Sequence, residues 1–454
     1  MAPRTRKRLC KFVFAGLSLL VLLAVLFVVW RFKVHRCADQ ESRQTLKKLC
    51  EEYTRNKVTG NLCPDLCTAH SIIFRECLNY RKGKKVMLAE WNTEKVILKS
   101  QYSHLQEYNS LISRHTDSQG KTVTLQPDMA TFLMVVKNQL RAMLEVDIPY
   151  AAVMETVRKM WQMPWKIHET MSVATMESLW SLLQQDEYLM MQYFQGNKHF
   201  PKIYGSCGHF YVMEYTPPGD TLSPRWFNFK TGREIIKSAT DWDKRAKVAL
   251  SFLTFLTDLN TFHTEPLHLC DVKPKNYGVS ADLTIQAIDV DMAFFETKMR
   301  GMLEQGNCTK NEDCDFVYCT SSCDLSRRRC SEHRANNNLQ AICEKIFVGH
   351  HGVPFSGLLR SPPAAIADRL NKVLQECVKP SKNNNQSQKA SPETLETIRD
   401  LLQESLQSNE PNRICLETDS LQSNGRSDQP NGDAETIRRQ EDGDEGSVQS
   451  FTGL

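Results

Sequence analysis

The sequence predicts an α+β fold in two lobes, behind a single N-terminal transmembrane helix. Three observations predict it. The strand-like runs Lys85-Val86-Met87-Leu88-Ala89-Glu90-Trp91 and Lys95-Val96-Ile97-Leu98-Lys99 flank a polar turn, Asn92-Thr93-Glu94, as in a hairpin. From Ala246 to Phe262 the residues Ala249, Phe252, Leu253, Phe255, Leu256 and Leu259 recur at helical spacing and form one apolar side. Beyond that helix, Leu269-Cys270-Asp271-Val272-Lys273-Pro274-Lys275-Asn276 gathers an acid, a cation and an amide in one tight loop, and Ile288-Asp289-Val290-Asp291 brings a further carboxylate on a returning strand.

Taken in order, residues 1–11 are a basic stub carrying Arg4, Arg6, Lys7, Arg8 and Lys11, and residues 12–30 are an uncharged apolar run from Phe12 to Trp30. At about 1.5 Å per residue such a run just crosses a bilayer as a helix. More basic residues precede it than follow it at Arg31, Lys33 and Arg36, so the positive-inside rule puts the N-terminus in the cytosol and the remainder in the lumen. A cleaved signal peptide is the competing reading, but Val28-Val29-Trp30 offers no small-residue cleavage site, which favours an uncleaved type II anchor. Arg4, Arg6 and Arg8 suit a cytosolic retention signal and equally the basic flank of any anchor.

Cysteine usage agrees with a lumenal setting. Of 16 cysteines, Cys37, Cys50, Cys63, Cys67 and Cys77 cluster in residues 31–80, and Cys308, Cys314, Cys319, Cys323, Cys330 and Cys343 cluster in residues 308–343. In an oxidising compartment such clusters read as disulfide frameworks, each bridge worth about 2 to 4 kcal/mol. Zinc is the rival reading, disfavoured by irregular spacings and the lack of a C-x-x-C pair. Spacing leaves the pairing open. Asn307-Cys308-Thr309 and Asn385-Gln386-Ser387 are glycosylation sequons usable in the lumen.

Residues 81–215 form the first lobe. It holds the hairpin, with Lys99 ending its second strand, and an insert at about residues 100–170. The centre of the insert, His115 to Gln126, lies between two apolar-periodic helical stretches and resembles an EF-hand loop, with Asp117 and Gly120 in the third and sixth places. His115 and Gln126 stand where calcium needs an Asp and a bidentate Glu, so calcium is not expected there; a plain polar turn is the alternative. Leu179, Leu182, Leu183, Tyr188, Met190 and Met191 then predict one helix carrying Glu177 and Glu187. Phe210-Tyr211-Val212-Met213-Glu214-Tyr215 reads as a buried strand leading out of the lobe.

The loop at Asp271 carries the chemistry. A carboxylate, a lysine two residues on, an asparagine three beyond that, and a later Asp meet the needs of phosphoryl transfer: a proton acceptor, a cation and two metal ligands. They fall in the order and spacing of a protein kinase catalytic loop and its metal-binding Asp, and Val96-Ile97-Leu98-Lys99 matches the kinase strand whose Lys meets the nucleotide phosphates. A polar turn between a helix and a hairpin is the bland reading. Departures are plain. Gly83 is the only glycine near the first hairpin, Leu269 and Cys270 replace the His and Arg of H-R-D, Asp289-Val290-Asp291 replaces D-F-G, and the cysteine cluster stands where A-P-E would be. Asp291 would share a strand face with Asp289 and serve as a second carboxylate, or else belong to a solvated acidic turn.

Residues 216–406 make the second lobe, ending in short helices at Pro354 to Val378 and Pro392 to Leu406 around a flexible linker, Lys379 to Ser391. Residues 407–454 are polar and read as a disordered tail. The final Thr452-Gly453-Leu454 would face the lumen, so its likeness to a PDZ ligand is taken as chance. A net charge of +4 over 454 residues, without a basic patch interleaved with aromatics, argues against nucleic acid as a partner.

Basic stub, anchor, cysteine-rich sequence, EF-hand-like insert and the Lys/Glu/Asp/Asn/Asp series together resemble the divergent protein kinase domain 1 family, type II membrane proteins of the endoplasmic reticulum. The resemblance implies a bilobal protein-kinase-like fold, residence in the endoplasmic reticulum membrane, and ATP chemistry with magnesium or manganese. It implies an ion pair between Lys99 and Glu187, with Glu177 the nearest alternative, and Glu214 and Tyr215 beside the adenine. Asp271 would be the base, Lys273 a phosphate-facing cation, and Asn276 with Asp289 the metal ligands. Two functions follow as expectations: a lumenal kinase acting on a protein or glycan hydroxyl, or a disulfide-braced pseudokinase scaffold.

Overall fold

The computed structural model describes residues 39–79, 84–111, 113–116, 122–125, 127–161, 171–216, 239–262, 265–349, 357–380 and 389–407. The expected anchor at Phe12 to Trp30, Cys37, the centre of the EF-hand-like loop at Asp117 to Gly120, Gly83, Asn385 and the tail beyond Gln407 lie outside these residues. Among the described residues, no helix is long and apolar enough to cross a membrane. The chain divides into two compact units. The first is drawn from Met1–Val136, Met154–Gln192 and Lys202–Tyr215, the second from Lys137–Val153, Tyr193–Pro201 and Thr216–Leu454.

The first unit opens with α1 (Asp39–Thr54), whose Leu46 and Leu49 lie in the apolar core beneath a sheet. The sheet is antiparallel and five-stranded. Its strands β1 (Ile72–Asn79), β2 (Lys85–Trp91) and β3 (Glu94–Ser100) are consecutive hairpins. Strand β1 belongs to the cysteine-rich segment, so the sheet begins before residue 81. The turn between β2 and β3 is tighter than the expected three residues. Asn92 and Thr93 alone make it, both left-handed at φ 50° and 70°, the conformation that matches the twist of a two-residue hairpin.

The insert departs from the EF-hand expectation. His115 lies on β4 (Ser113–Thr116), paired antiparallel with β5 (Thr122–Leu125) so that Ser113 pairs with Leu125, and between β3 and β4 the described residues hold a 3-10 turn at Leu105–Glu107 and no α-helix. No helix–loop–helix exists at this place among the described residues. The β-branched run Thr122-Val123-Thr124 accounts for the strand, because such side chains fit a pleated ribbon better than a helix. Two helices follow, α2 (Met129–Leu144) and α3 (Tyr150–Trp161).

The single helix expected around Glu187 is two, α4 (Val173–Leu183) and α5 (Asp186–Tyr193). Gln185, buried between them, ties the break to the sheet. Its Nε2 donates to the carbonyls of Ser181 (3.1 Å) and His209 (2.8 Å), and its Oε1 accepts from the backbone N–H of Gln101 (2.9 Å), just past β3. Strands β6 (Ile203–Cys207) and β7 (Phe210–Glu214) complete the sheet in the order β1-β2-β3-β7-β6. The core set by Phe74, Met87, Val96, Leu98, Phe210 and Val212 stabilises this unit at about 1.5 to 3 kcal/mol per fully buried large side chain. Disulfides Cys50–Cys67 and Cys63–Cys207 brace it, and Cys77 is also disulfide-bonded. At Gly60 a Cβ would come within 2.1 Å of the Ser206 carbonyl oxygen, so only glycine lets this loop reach β6.

The second unit is built on α6 (Ala239–Phe262), seven residues longer at its start than the predicted 246–262 stretch. Phe252 and Phe255 meet Tyr277 edge to face, with centroids 5.0 and 6.2 Å apart. Two short antiparallel pairs follow: β8 (Leu267–Leu269) with a later strand, and β9 (Tyr277–Val279) with β10 (Ile285–Ala287). The partner of β8 is β11 (Ala293–Phe295), which runs into α7 (Glu296–Leu303). Ile288 to Met292 is therefore a turn between strands. Without a strand there, the alternation that would place Asp291 on the same face as Asp289 does not operate.

The cysteine segment holds the two-residue strands β12 (Cys323–Asp324) and β13 (Arg329–Cys330). Its bridges are Cys308–Cys323 and Cys314–Cys330. The sulfurs of Cys308, Cys314 and Cys330 lie within 4.8 Å of one another, as zinc ligands would, but each is already bonded to another sulfur. Cys319 and Cys343 pair outside the cluster, with Cys270 and Cys377. Helices α8 (Asn338–Ile342), α9 (Ala367–Val378) and α10 (Pro392–Gln407) close the unit, and Trp242 on α6 donates its Nε1–H to Ser405 on α10 at 3.0 Å.

Candidate functional site

The expected site residues fall on both units. In the first, β3 carries Lys99 and α5 carries Glu187, both buried, with Lys99 Nζ 2.8 Å from Glu187 Oε1. The other oxygen, Oε2, accepts from the Tyr211 hydroxyl at 3.0 Å and lies 3.0 Å from Lys84 Nζ. The break at Gln185 is what turns Glu187 toward the sheet. Glu177 takes no part: its carboxylate accepts from the Ser110 hydroxyl (2.9 Å) and the Leu111 N–H (3.1 Å). At the end of β7, the Glu214 carboxylate accepts from the Lys202 N–H at 3.2 Å, and the Tyr215 ring lies under Lys95 Nζ at 5.5 Å.

In the second unit, the loop after β8 brings Asp271, Lys273 and Asn276 together. Lys273 Nζ donates to Asp271 Oδ2. Asn276 Nδ2 donates to both the backbone oxygen (2.8 Å) and Oδ2 (3.1 Å) of Asp271. Its Oδ1, fully enclosed, has no hydrogen-bond partner among the described residues. A buried acceptor left unsatisfied costs about 1 to 3 kcal/mol, so this geometry persists at a cost that a bound cation would remove. The backbone of Asn276 also accepts from Ile288 N–H at 2.9 Å, which brings Asp289 to the loop. Asp271 and Asp289 line one pocket with Leu269, Tyr277, Ala287, Val290, Met292 and Ala293. Amide and carboxylate oxygens are the donors a hard divalent ion takes, so Asn276 and Asp289 fit magnesium or manganese in type.

Two known sequence profiles match this chain. One, described as the protein-kinase domain of FAM69, covers residues 179–380. The other, described as the N-terminal cysteine-rich endoplasmic reticulum part of FAM69, covers residues 5–159. The chain belongs to the FAM69 family. This is the divergent protein kinase domain 1 family that the motifs resembled, and the FAM69 chain is accordingly a divergent kinase-like protein of a cysteine-rich endoplasmic reticulum family.

Several residues around the FAM69 loop escaped sequence reasoning. Cys270, which stands in place of the H-R-D arginine, is bonded to Cys319, so the residue before Asp271 is held covalently to the cysteine segment. The strand that delivers Asp271 is clamped from below by Asn338. Its Oδ1 accepts from Leu269 N–H (2.9 Å) and its Nδ2 donates to Leu267 O (2.7 Å). Arg334, 3 % exposed, donates to Asn338 Oδ1 (2.6 Å), Asn336 Oδ1 (2.8 Å) and His268 Nδ1 (3.2 Å). Since His268 Nδ1 accepts from arginine, its proton sits on Nε2 and is donated to Glu296 at 2.5 Å. Burial and then Arg334 lower the His268 pKa, which keeps the ring neutral. Burial likewise pulls Arg334 down to about 9, with Glu296 opposing. The run Arg334-Ala335-Asn336-Asn337-Asn338 was the available signal, a polar stretch directly before an apolar helix.

Proposed function

We propose that this chain is a lumenal kinase that transfers a phosphoryl group from ATP, with a divalent metal, to a hydroxyl of a protein or glycan in the secretory pathway. The observation that carries the reading is the enclosed, unpartnered Oδ1 of Asn276, five residues after Asp271 and hydrogen-bonded to it through Nδ2. Most buried side-chain polar atoms are paired, so this oxygen, one of the few left unpaired among the described residues and the one beside Asp271, supports a ligand there.

Each residue then has a task. Asp271 Oδ2, which accepts from Lys273 and Asn276, is the acceptor for the proton of the attacking hydroxyl. Lys273 carries positive charge to the phosphoryl group as the hydroxyl approaches. Lys99, oriented by Glu187, binds nucleotide phosphate oxygens. Glu214 and Tyr215 stand beside the adenine. Asn276 and Asp289 hold magnesium or manganese, which supplies positive charge against phosphate oxygens when bound. The EF-hand-like insert is assigned no calcium. In this reading the chain is a type II protein of the endoplasmic reticulum membrane: the six described disulfides support an oxidising lumen, and the basic stub and apolar run support the anchor. No nucleic acid is a partner in this reading.

The bond between Cys270 and Cys319 favours a second reading. A loop braced covalently suits a pseudokinase scaffold as well as an unswitched kinase. Thermal unfolding of the oxidised full-length chain in detergent, with and without ATP and either metal, separates them. Nucleotide at about a hundredfold its dissociation constant adds roughly 2.7 kcal/mol of stability. The kinase reading expects that gain to need metal and to vanish in Asp289→Ala, while Asp271→Asn keeps the gain and loses transfer. A folded chain that gains nothing with either metal leaves the scaffold.

A further inference from the structure

Lys84 has no role in the reading above, yet it shares Glu187 with Lys99. The two ammonium groups lie 3.0 and 2.8 Å from opposite oxygens of one buried carboxylate. Val86 on β2 is paired with Lys99 on β3, so these two share one face, and Lys84, immediately before β2, reaches the same carboxylate from the strand's start. Lys85, one residue on, is paired with Ser100 and belongs to the opposite face. The side chain of Lys84 is 18 % exposed against 6 % for Lys99, which makes it the more accessible of the two.

Lys84 immediately precedes β2. In a kinase lobe the connection between the first two strands is glycine-rich, and its backbone N–H groups hold the phosphates. Here Gly83 is the only glycine near it, so a backbone cradle of that kind is not written into the sequence. We infer that Lys84 is a second phosphate ligand, and that this protein holds the polyphosphate tail of a nucleoside triphosphate with two lysine side chains, Lys84 just before β2 and Lys99 on β3, organised by Glu187, in place of a glycine-rich loop. The inference rests on the kinase reading and adds the source of phosphate affinity. Glu187 keeps both ammonium groups at the same face in advance, so their ordering costs little when the anion arrives.

The test is calorimetric titration of the oxidised full-length chain, in detergent and with magnesium, using ATP, inorganic tripolyphosphate and adenosine against the unmutated protein, Lys84→Gln and Lys84→Arg. Glutamine keeps a hydrogen-bond donor for Glu187 and removes the charge. The expected result is an affinity loss of about tenfold to a hundredfold for ATP and tripolyphosphate in Lys84→Gln, unchanged adenosine binding, and recovery in Lys84→Arg. Unchanged ATP affinity in Lys84→Gln would overturn the inference and leave the kinase reading intact. So would an equal loss for ATP and adenosine, which marks a structural brace. Tripolyphosphate binding that needs Lys84, in a chain that binds no ATP, would keep the lysine pair as an anion site and remove the kinase reading. Binding of neither ligand removes both.

Discussion

Glu187 and Asn276 make an instructive pair. Both are buried polar side chains at the centre of expected site residues, one on each unit. Glu187 is saturated: two ammonium groups and a tyrosine hydroxyl converge on its two oxygens. Asn276 is saturated at its nitrogen and bare at its oxygen. The first residue is part of an arrangement complete within the protein, which pre-orients lysines. The second keeps one acceptor that the described protein atoms leave unmet, as a ligand-binding atom must be. The supports differ likewise. Glu187 is aimed by hydrogen bonds of Gln185, whereas the loop of Asn276 is tied by the covalent Cys270–Cys319 bridge.

The largest effect should come from breaking the saturated side. Glu187→Ala leaves the buried Lys99 and the half-buried Lys84 without their shared carboxylate, and removing one partner of a buried pair costs about 3 to 5 kcal/mol. A urea titration should show the loss as a lower midpoint at unchanged slope. A midpoint near that of the unmutated chain would mean that the ion cluster is not a structural element at all.

Acid should distinguish the two regions next. His209 lies on the β6–β7 turn, where its carbonyl accepts from Gln185, and burial pushes its pKa down to about 4. The unfolded chain therefore takes up that proton first, near pH 6.5, and stability present at pH 7 is lost as pH falls toward 4, by about 3 kcal/mol. His209→Gln, measured against its own value at pH 7, should show a shallower fall over that window; an identical fall would rule His209 out as the cause. Because His209 supports Gln185, hydrogen exchange at α5 should rise with acid before exchange at β8 does.

The smallest effect belongs to the unsaturated side. Asn276→Ala removes two hydrogen bonds to Asp271 and also removes the unsatisfied oxygen, so the two changes largely offset, and the metal-free chain should lose only about 1 kcal/mol. The same variant should lose the stabilisation by nucleotide with metal entirely. A loss of several kcal/mol without metal would make Asn276 a structural residue and erase the contrast with Glu187.

Much of the site was readable because its parts are local. Asp271, Lys273 and Asn276 lie within six residues, so one tight turn, the 3-10 turn at Pro274–Asn276, is enough to bring them together. The β2–β3 hairpin was equally plain from its flanking strands and its Asn92-Thr93 turn. The strand assumed through Asp291 was not, because the pattern of Ile288 to Asp291 alternates whether it forms a strand or a turn. The EF-hand-like loop misled for a related reason. Asp117 and Gly120 suit a loop, but Thr122 to Leu125 favour a ribbon, and backbone pairing to Ser113 to Thr116 prevails.

The sequence by itself determined the compartment signals, the residue chemistry of the Asp271 loop and the strand ending at Lys99, all features of contiguous stretches. Tertiary structure decided the rest. It chose Cys207 as the partner of Cys63, 144 residues away, and Cys270 as the partner of Cys319. It broke the helix at Gln185 and so turned Glu187, not Glu177, toward Lys99 and Lys84. The physical reason is the same in each case. Spacing along a chain constrains neighbours, whereas a buried carboxylate or a thiol takes the partner that folding brings within reach, and burial makes an unmatched group too costly to leave alone.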